Sequence, residues 1–151
     1  MLNKPKQPTL FAHRGASAHA PENTLAAFNL ALTHNADAFE LDAKLSADCH
    51  VVVIHDQTVD RTTDGHGEVN KMTLAALREL DAGSFFDIAF HGERIPTLDQ
   101  IFETFGHKTL INVELTNYAS INDDLPIRVV DLVKRHRLEK HILFSSFNQR
   151  A

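Results

Sequence analysis

Five short, mostly aliphatic runs recur along this 151-residue chain, at 9–12, 37–45, 51–54, 110–115 and 142–145, and amphipathic stretches separate most of them. Runs of that length read as strands, whereas apolar residues returning every three or four positions read as one face of a helix. Thr24 stands where an N-cap belongs, ahead of Leu25, Phe28 and Leu32. Pro96-Thr97 opens a second helix to about 105, striped by Leu98, Ile101, Phe102 and Phe105. Further helices are predicted near 73–80 and 123–137. Only Ala47, Asp48 and Cys49 separate Ser46 from His50, too few residues for a parallel crossover, so the strands at 37–45 and 51–54 form an antiparallel hairpin. The order is strand, helix, strand with its hairpin, an irregular insertion at about 57–90, helix, strand, helix, strand. Such alternation implies an α/β fold with a parallel sheet.

Composition narrows the partners. Apolar residues make up 43% of the chain and charged residues 23%, ordinary values for a cored domain. The net charge of −5 leaves no basic face for a nucleic-acid backbone, so an anionic ligand must be attracted locally. No apolar run approaches the roughly 20 residues of a membrane span, and no membrane partner is expected. The first eight residues lack the apolar core of a secretory signal, and Cys49 is the single cysteine. A cytoplasmic location is the expectation.

In parallel α/β folds the carboxyl ends of the strands build the site. His13, Glu40, Asp42, Glu114 and Ser145 all fall at such ends. Glu40, Asp42 and Glu114 offer oxygen ligands of the kind a hard divalent cation prefers, and crowded together without one they would repel. His13 and His55 are the candidate acid and base, because an imidazole titrates near neutrality. Arg14 offers a planar fork of donors for a phosphate. A hairpin turning at Asp48-Cys49 sets Asp42 opposite His55, with Glu40 on the same face. In that turn Cys49 occupies the place where glycine is expected. Each signal alone is weak; their convergence on one end of the sheet is what gives them weight.

The segments Phe11-Ala12-His13-Arg14-Gly15, Pro21-Glu22-Asn23-Thr24, Glu40-Leu41-Asp42, His55-Asp56 and Ser145-Ser146-Phe147 resemble the glycerophosphodiester phosphodiesterase family over essentially the whole chain. The resemblance implies a TIM (β/α)₈-barrel fold, present here as an N-terminal portion with about four barrel strands, a hairpin extension and the small insertion. It implies that His13 and His55 are the general acid–base pair, that Arg14 contacts phosphate, and that Glu40, Asp42 and Glu114 hold Ca²⁺ or Mg²⁺. The implied reaction is hydrolysis of a small-molecule glycerophosphodiester to sn-glycerol 3-phosphate and an alcohol. In it the neighbouring glycerol hydroxyl attacks phosphorus, and water then opens the cyclic phosphate.

The chain departs from the family pattern at Thr116, where a lysine usually follows the strand-end glutamate by two positions. It is also short of the roughly 250 residues of a complete barrel. Residues 1–151 are therefore expected to form a partial barrel domain, completed by a C-terminal half or another chain, and alone poorly stable and nearly inactive. Two other readings are a phospholipase D-like phosphodiesterase acting on lysophospholipids, and a non-catalytic fragment that binds metal or phosphate.

Overall fold

The computed structural model describes residues 8–116 and 123–148. The expectation of no signal at the N-terminus falls largely outside those residues. In chain order the elements are β1 (Phe11–His13), α1 (Leu25–Thr33), β2 (Ala38–Leu45), β3 (Val51–Val53), α2 (Leu74–Glu79), α3 (Leu98–Phe105), β4 (Leu110–Leu115), α4 (Leu125–His136) and β5 (Ile142–Ser145). Single 3₁₀ turns at Val69–Lys71 and Ile88–Phe90 interrupt the insertion.

Local chemistry accounts for the helix starts. The Thr24 hydroxyl accepts from the Ala27 N–H at 3.3 Å. Thr97 and Gln100 form a reciprocal capping box that satisfies two otherwise orphaned donors of α3. Thr73 caps α2 in the same way as Thr24 caps α1.

The parallel strands lie in the order β1-β2-β4-β5, with β3 paired antiparallel to β2 beyond them. β2 is buried along nearly its whole length, as befits a central strand covered on both faces. Strand alternation then separates two environments. Phe39, Leu41, Ala43, Ile111, Val113 and Leu115 join the main core with the apolar faces of α1, α3 and α4. Phe28 of α1 stacks on Phe39 at 4.4 Å between ring centroids, and Phe105 of α3 meets Phe39 edge-on at 5.6 Å, which ties both helices to β2. On the opposite face stand Glu40, Asp42 and Lys44 of β2 and Asn112 and Glu114 of β4.

The insertion builds a second, smaller core of Val52, Ile54, Val59, Val69, Leu77, Ala82 and Ile95 against the hairpin. The buried Asp81 carboxylate organises its far loop by accepting from the N–H groups of Gly83, Ser84 and Gly92 at 2.7–2.9 Å. Among the described residues β1 and β5 form the outer edges of the parallel strands, and Leu143 and Phe144 of β5 are each 49% exposed. No helix among the described residues is long and apolar enough to cross a membrane.

The hairpin register corrects one expectation. Ala43 pairs with Val53 and Leu45 with Val51, and the Ile54 N–H donates to the Asp42 carbonyl at 3.0 Å. Ile54, not His55, therefore lies across from Asp42. The loop holds three residues rather than two: the Cys49 N–H closes a turn on the Ser46 carbonyl, and Cys49 itself adopts φ 62°. Three-residue hairpin loops need such a left-handed residue, and a cysteine there gives no signal of it. His55 leaves the ladder in a bend, so its side chain is aimed by its own hydrogen bond instead of by the pleat.

Candidate active site

The site begins with the sharp turn after β1. Arg14 at φ 56° and Gly15 at φ 81° are both left-handed. At Gly15 a Cβ would lie 2.7 Å from the Ala27 backbone, so only glycine allows the turn to press on α1. A non-glycine residue in that region costs on the order of 1–3 kcal/mol and persists only where its surroundings hold it. Two bonds hold the Arg14 backbone: its N–H donates to Glu40 Oε2 at 3.0 Å, and its carbonyl accepts from the Asn23 N–H at 3.1 Å.

Glu40, Asp42 and Glu114 each present a carboxylate oxygen, and these oxygens all lie within 4.8 Å of one another. The register explains the convergence: Glu40 and Asp42 are two apart on β2, and Asp42 pairs directly with Glu114 on β4. Asp42 is 1% exposed; it accepts from Asn23 Nδ2 at 2.8 Å and lies 3.3 Å from Arg14 Nε. Glu40 is 7% exposed, and its Oε1 has no hydrogen-bond partner among the described residues. Burial first, then the neighbouring Asp42 and Glu114 charges, push its carboxyl up to about 7. A buried, unpartnered oxygen beside two further acids fits a divalent cation, whose charge would relieve that repulsion.

Lys44 continues the β2 row and is 4% exposed. Its ammonium donates to Thr116 Oγ1 at 2.8 Å and to the Thr116 carbonyl at 2.9 Å. The position where a lysine was expected thus holds a threonine that receives an ammonium from the adjacent strand. Burial lowers the Lys44 ammonium to about 8, against the upward pull of Asp42 and other acids. The alternation that placed Glu40 and Asp42 on one face placed Lys44 there too, and that signal was legible in sequence.

The two histidines sit differently. His13 ends β1 at the rim, its side chain 67% exposed and its Nε2 3.8 Å from Glu40 Oε2. His55 Nδ1 is 2.6 Å from Asp56 Oδ1, and the ring borders a small cleft with Glu22, Asn23 and Thr62. Beyond Arg14 and the acids, the arrangement adds residues that had no assigned part. Asn23, at φ 59°, orients Asp42, while Asn112 Nδ2 donates to Ser145 Oγ at 2.9 Å across β4 and β5.

The raised Glu40 carboxyl has a consequence for stability without bound cation. Unfolded, the group titrates near 4.5; folded, near 7, so between those values the native state keeps a proton that the unfolded state releases. Stability from this group is therefore fully present below the lower value and lost as pH rises through the upper one, by up to roughly 3 kcal/mol. Urea melts of the wild type and Glu40→Gln in chelated buffer should show their difference in unfolding free energy moving in the variant's favour from pH 4.5 to 7. A difference flat across that window would refute the burial and crowding invoked for Glu40.

Known proteins share this fold. The model of the glycerophosphoryl diester phosphodiesterase family matches residues 13–151. The chain is 45% identical over 140 residues to a glycerophosphodiester phosphodiesterase of Caldanaerobacter subterraneus, covering 92% of this chain and 58% of that protein. Among solved structures, an Oleispira antarctica phosphodiesterase in complex with the product sn-glycerol-3-phosphate superposes with a TM-score of 0.87 at 38% identity, over 95% of this chain and 59% of that one. A glycerophosphodiester phosphodiesterase from Agrobacterium tumefaciens gives a TM-score of 0.85 at 38% identity, over 93% of this chain and 58% of that one. The chain thus spans less than two thirds of the length of these relatives and carries part of their TIM-barrel fold. The match takes in the His13-Arg14 turn and all three converging acids, and the chain belongs to the glycerophosphoryl diester phosphodiesterase family.

Proposed function

We propose that this chain carries the metal-binding and acid–base half of an enzyme that hydrolyses glycerophosphodiesters to sn-glycerol 3-phosphate and an alcohol. The observation that carries the reading is the trio Glu40, Asp42 and Glu114, with its buried, unpartnered oxygen, beside Arg14 in a member of this family. Those three acids would hold Ca²⁺ or Mg²⁺, which supplies positive charge to the phosphoryl oxygens when bound. Arg14 presents its guanidinium on the same side and binds a phosphate oxygen. Of His13 and His55, one removes the proton from the attacking glycerol hydroxyl and the other delivers a proton to the leaving alcohol oxygen. The same pair, with roles exchanged, serves when water opens the cyclic phosphate. The substrate class is supported by the product held in the Oleispira antarctica relative.

The single cysteine agrees with a cytoplasmic setting. Among the described residues nothing pairs with the outer edges of β1 and β5, which suit further barrel strands, from a C-terminal half or another chain. Release of choline or ethanolamine from glycerophosphocholine or glycerophosphoethanolamine, with Ca²⁺ or Mg²⁺ and again after chelation, tests the reading. Turnover that requires the cation is expected; turnover indifferent to chelation would contradict the role of the acids. A chain that binds the cation yet never turns over, even with its complementary half, would favour the non-catalytic reading.

A further inference from the structure

Two loops that carry site residues meet at Arg61, which touches none of the three clustered acids. Arg61 lies in the insertion, five residues beyond Asp56, and its guanidinium grips two carboxylates at once. Nε and Nη2 donate to the two oxygens of Asp56 at 2.7 and 3.0 Å. Nη1 and Nη2 donate to the two oxygens of Glu22 at 2.8 and 2.9 Å. Four of the five N–H bonds of a guanidinium are thereby committed.

Each carboxylate also holds a residue of the site. Asp56 Oδ1 is 2.6 Å from His55 Nδ1, and Glu22 Oε1 accepts from Arg14 Nη1 at 3.0 Å. Asp56 is held well below the usual carboxylate range, chiefly by the Arg61 hydrogen bonds, so it is ionised and accepts. In a neutral His55 ring the proton then sits on Nδ1, facing Asp56, and Nε2 is the nitrogen without hydrogen. An isolated, half-exposed ion pair contributes little. A guanidinium that is bidentate to both partners fixes orientation as well, which a point charge cannot do.

We propose that Arg61 is a positioning residue: by clamping Asp56 and Glu22 together it fixes the tautomer of His55 and the aim of Arg14, two groups on separate loops. The assignment rests on the diesterase reading for its catalytic meaning, but the clamp itself is observable without turnover. It links the insertion to the turn after β1, and it gives the irregular segment at 57–68 a part in the chemistry beyond covering the hairpin.

The test is long-range ¹H–¹⁵N correlation of His55 in the full chain, alongside calorimetric titration with sn-glycerol 3-phosphate in the presence of Mg²⁺. The wild type should show His55 protonated at Nδ1. Arg61→Met and Arg61→Lys should both lose that tautomer preference, because an ammonium cannot bind two carboxylates bidentately. Binding should weaken on the order of 10- to 100-fold, the usual effect of freeing the partner that orients a ligand-binding group. Glu22→Gln, which keeps Arg61, should weaken binding while leaving the His55 tautomer closer to wild type, and combining it with Arg61→Met should add little. His55 retaining its Nδ1 proton in both Arg61 variants would overturn the proposal, whatever the binding data show. Loss of the tautomer with no wild-type affinity for sn-glycerol 3-phosphate would leave the clamp standing and count against the diesterase reading. If Arg61→Met fails to fold, Arg61→Lys and Glu22→Gln carry the same comparison.

Discussion

Replacing His13 or His55 by alanine is expected to lower diester hydrolysis by a factor on the order of 10² to 10⁴, the usual contribution of a placed general acid or base. The two variants should differ in what else they disturb. His13 is mostly exposed at the end of β1, and the Glu40 Oε2 that lies 3.8 Å from it keeps the Arg14 N–H when the ring is removed. His13→Ala should therefore melt with the wild type and bind cation normally. His55→Ala leaves Asp56 still gripped by Arg61, so the fold again survives and the loss falls on turnover. Steady-state rates on glycerophosphocholine at saturating cation, with melting curves in parallel, separate these effects. Normal turnover in both variants would end their assignment as acid and base.

The second large effect concerns the acids. Asp42→Asn removes one charged ligand of three while preserving side-chain volume, and the Asn23 amide can rotate to present its oxygen. Cation affinity should fall at least ~100-fold, since even disturbing a partner that orients a ligand costs 10- to 100-fold. Thermal melting reads this directly. A wild type given cation at 100 times its dissociation constant gains about 2.7 kcal/mol, and the variant at the same concentration should gain almost none. Equal gains in both proteins would show the cation to be bound elsewhere.

The sheet and its acids were legible in the sequence because both follow from period alone. Alternation in 37–45 set Glu40 and Asp42 on one side and Phe39 and Leu41 on the other, and the helix stripe at Leu98, Ile101, Phe102 and Phe105 matched the buried face of α3. Glu114 joined them because parallel strands in register bring equivalent ends together. The hairpin register was not legible: the loop length depends on Cys49 adopting a left-handed conformation, for which cysteine carries no preference. That one-residue difference moved Ile54 into the place assigned to His55. Nor was the Arg61 clamp legible, because it joins residues 39 positions apart through side chains of two irregular segments. No periodicity reports a contact of that kind. Asn23 and Lys44 stand between these cases. Lys44 shares the alternation of the acids, and Asn23 belongs to a motif whose individual residues had been given no work.

The most direct measurement of whether Glu40, Asp42 and Glu114 form a cation site is anomalous scattering from Mn²⁺ soaked into crystals of the chain. One peak is expected among the three carboxylates, with an oxygen from each at about 2.0–2.6 Å, the range for hard divalent ions. A map with no peak within reach of these acids, or with Mn²⁺ bound only at other surface carboxylates, would contradict the account.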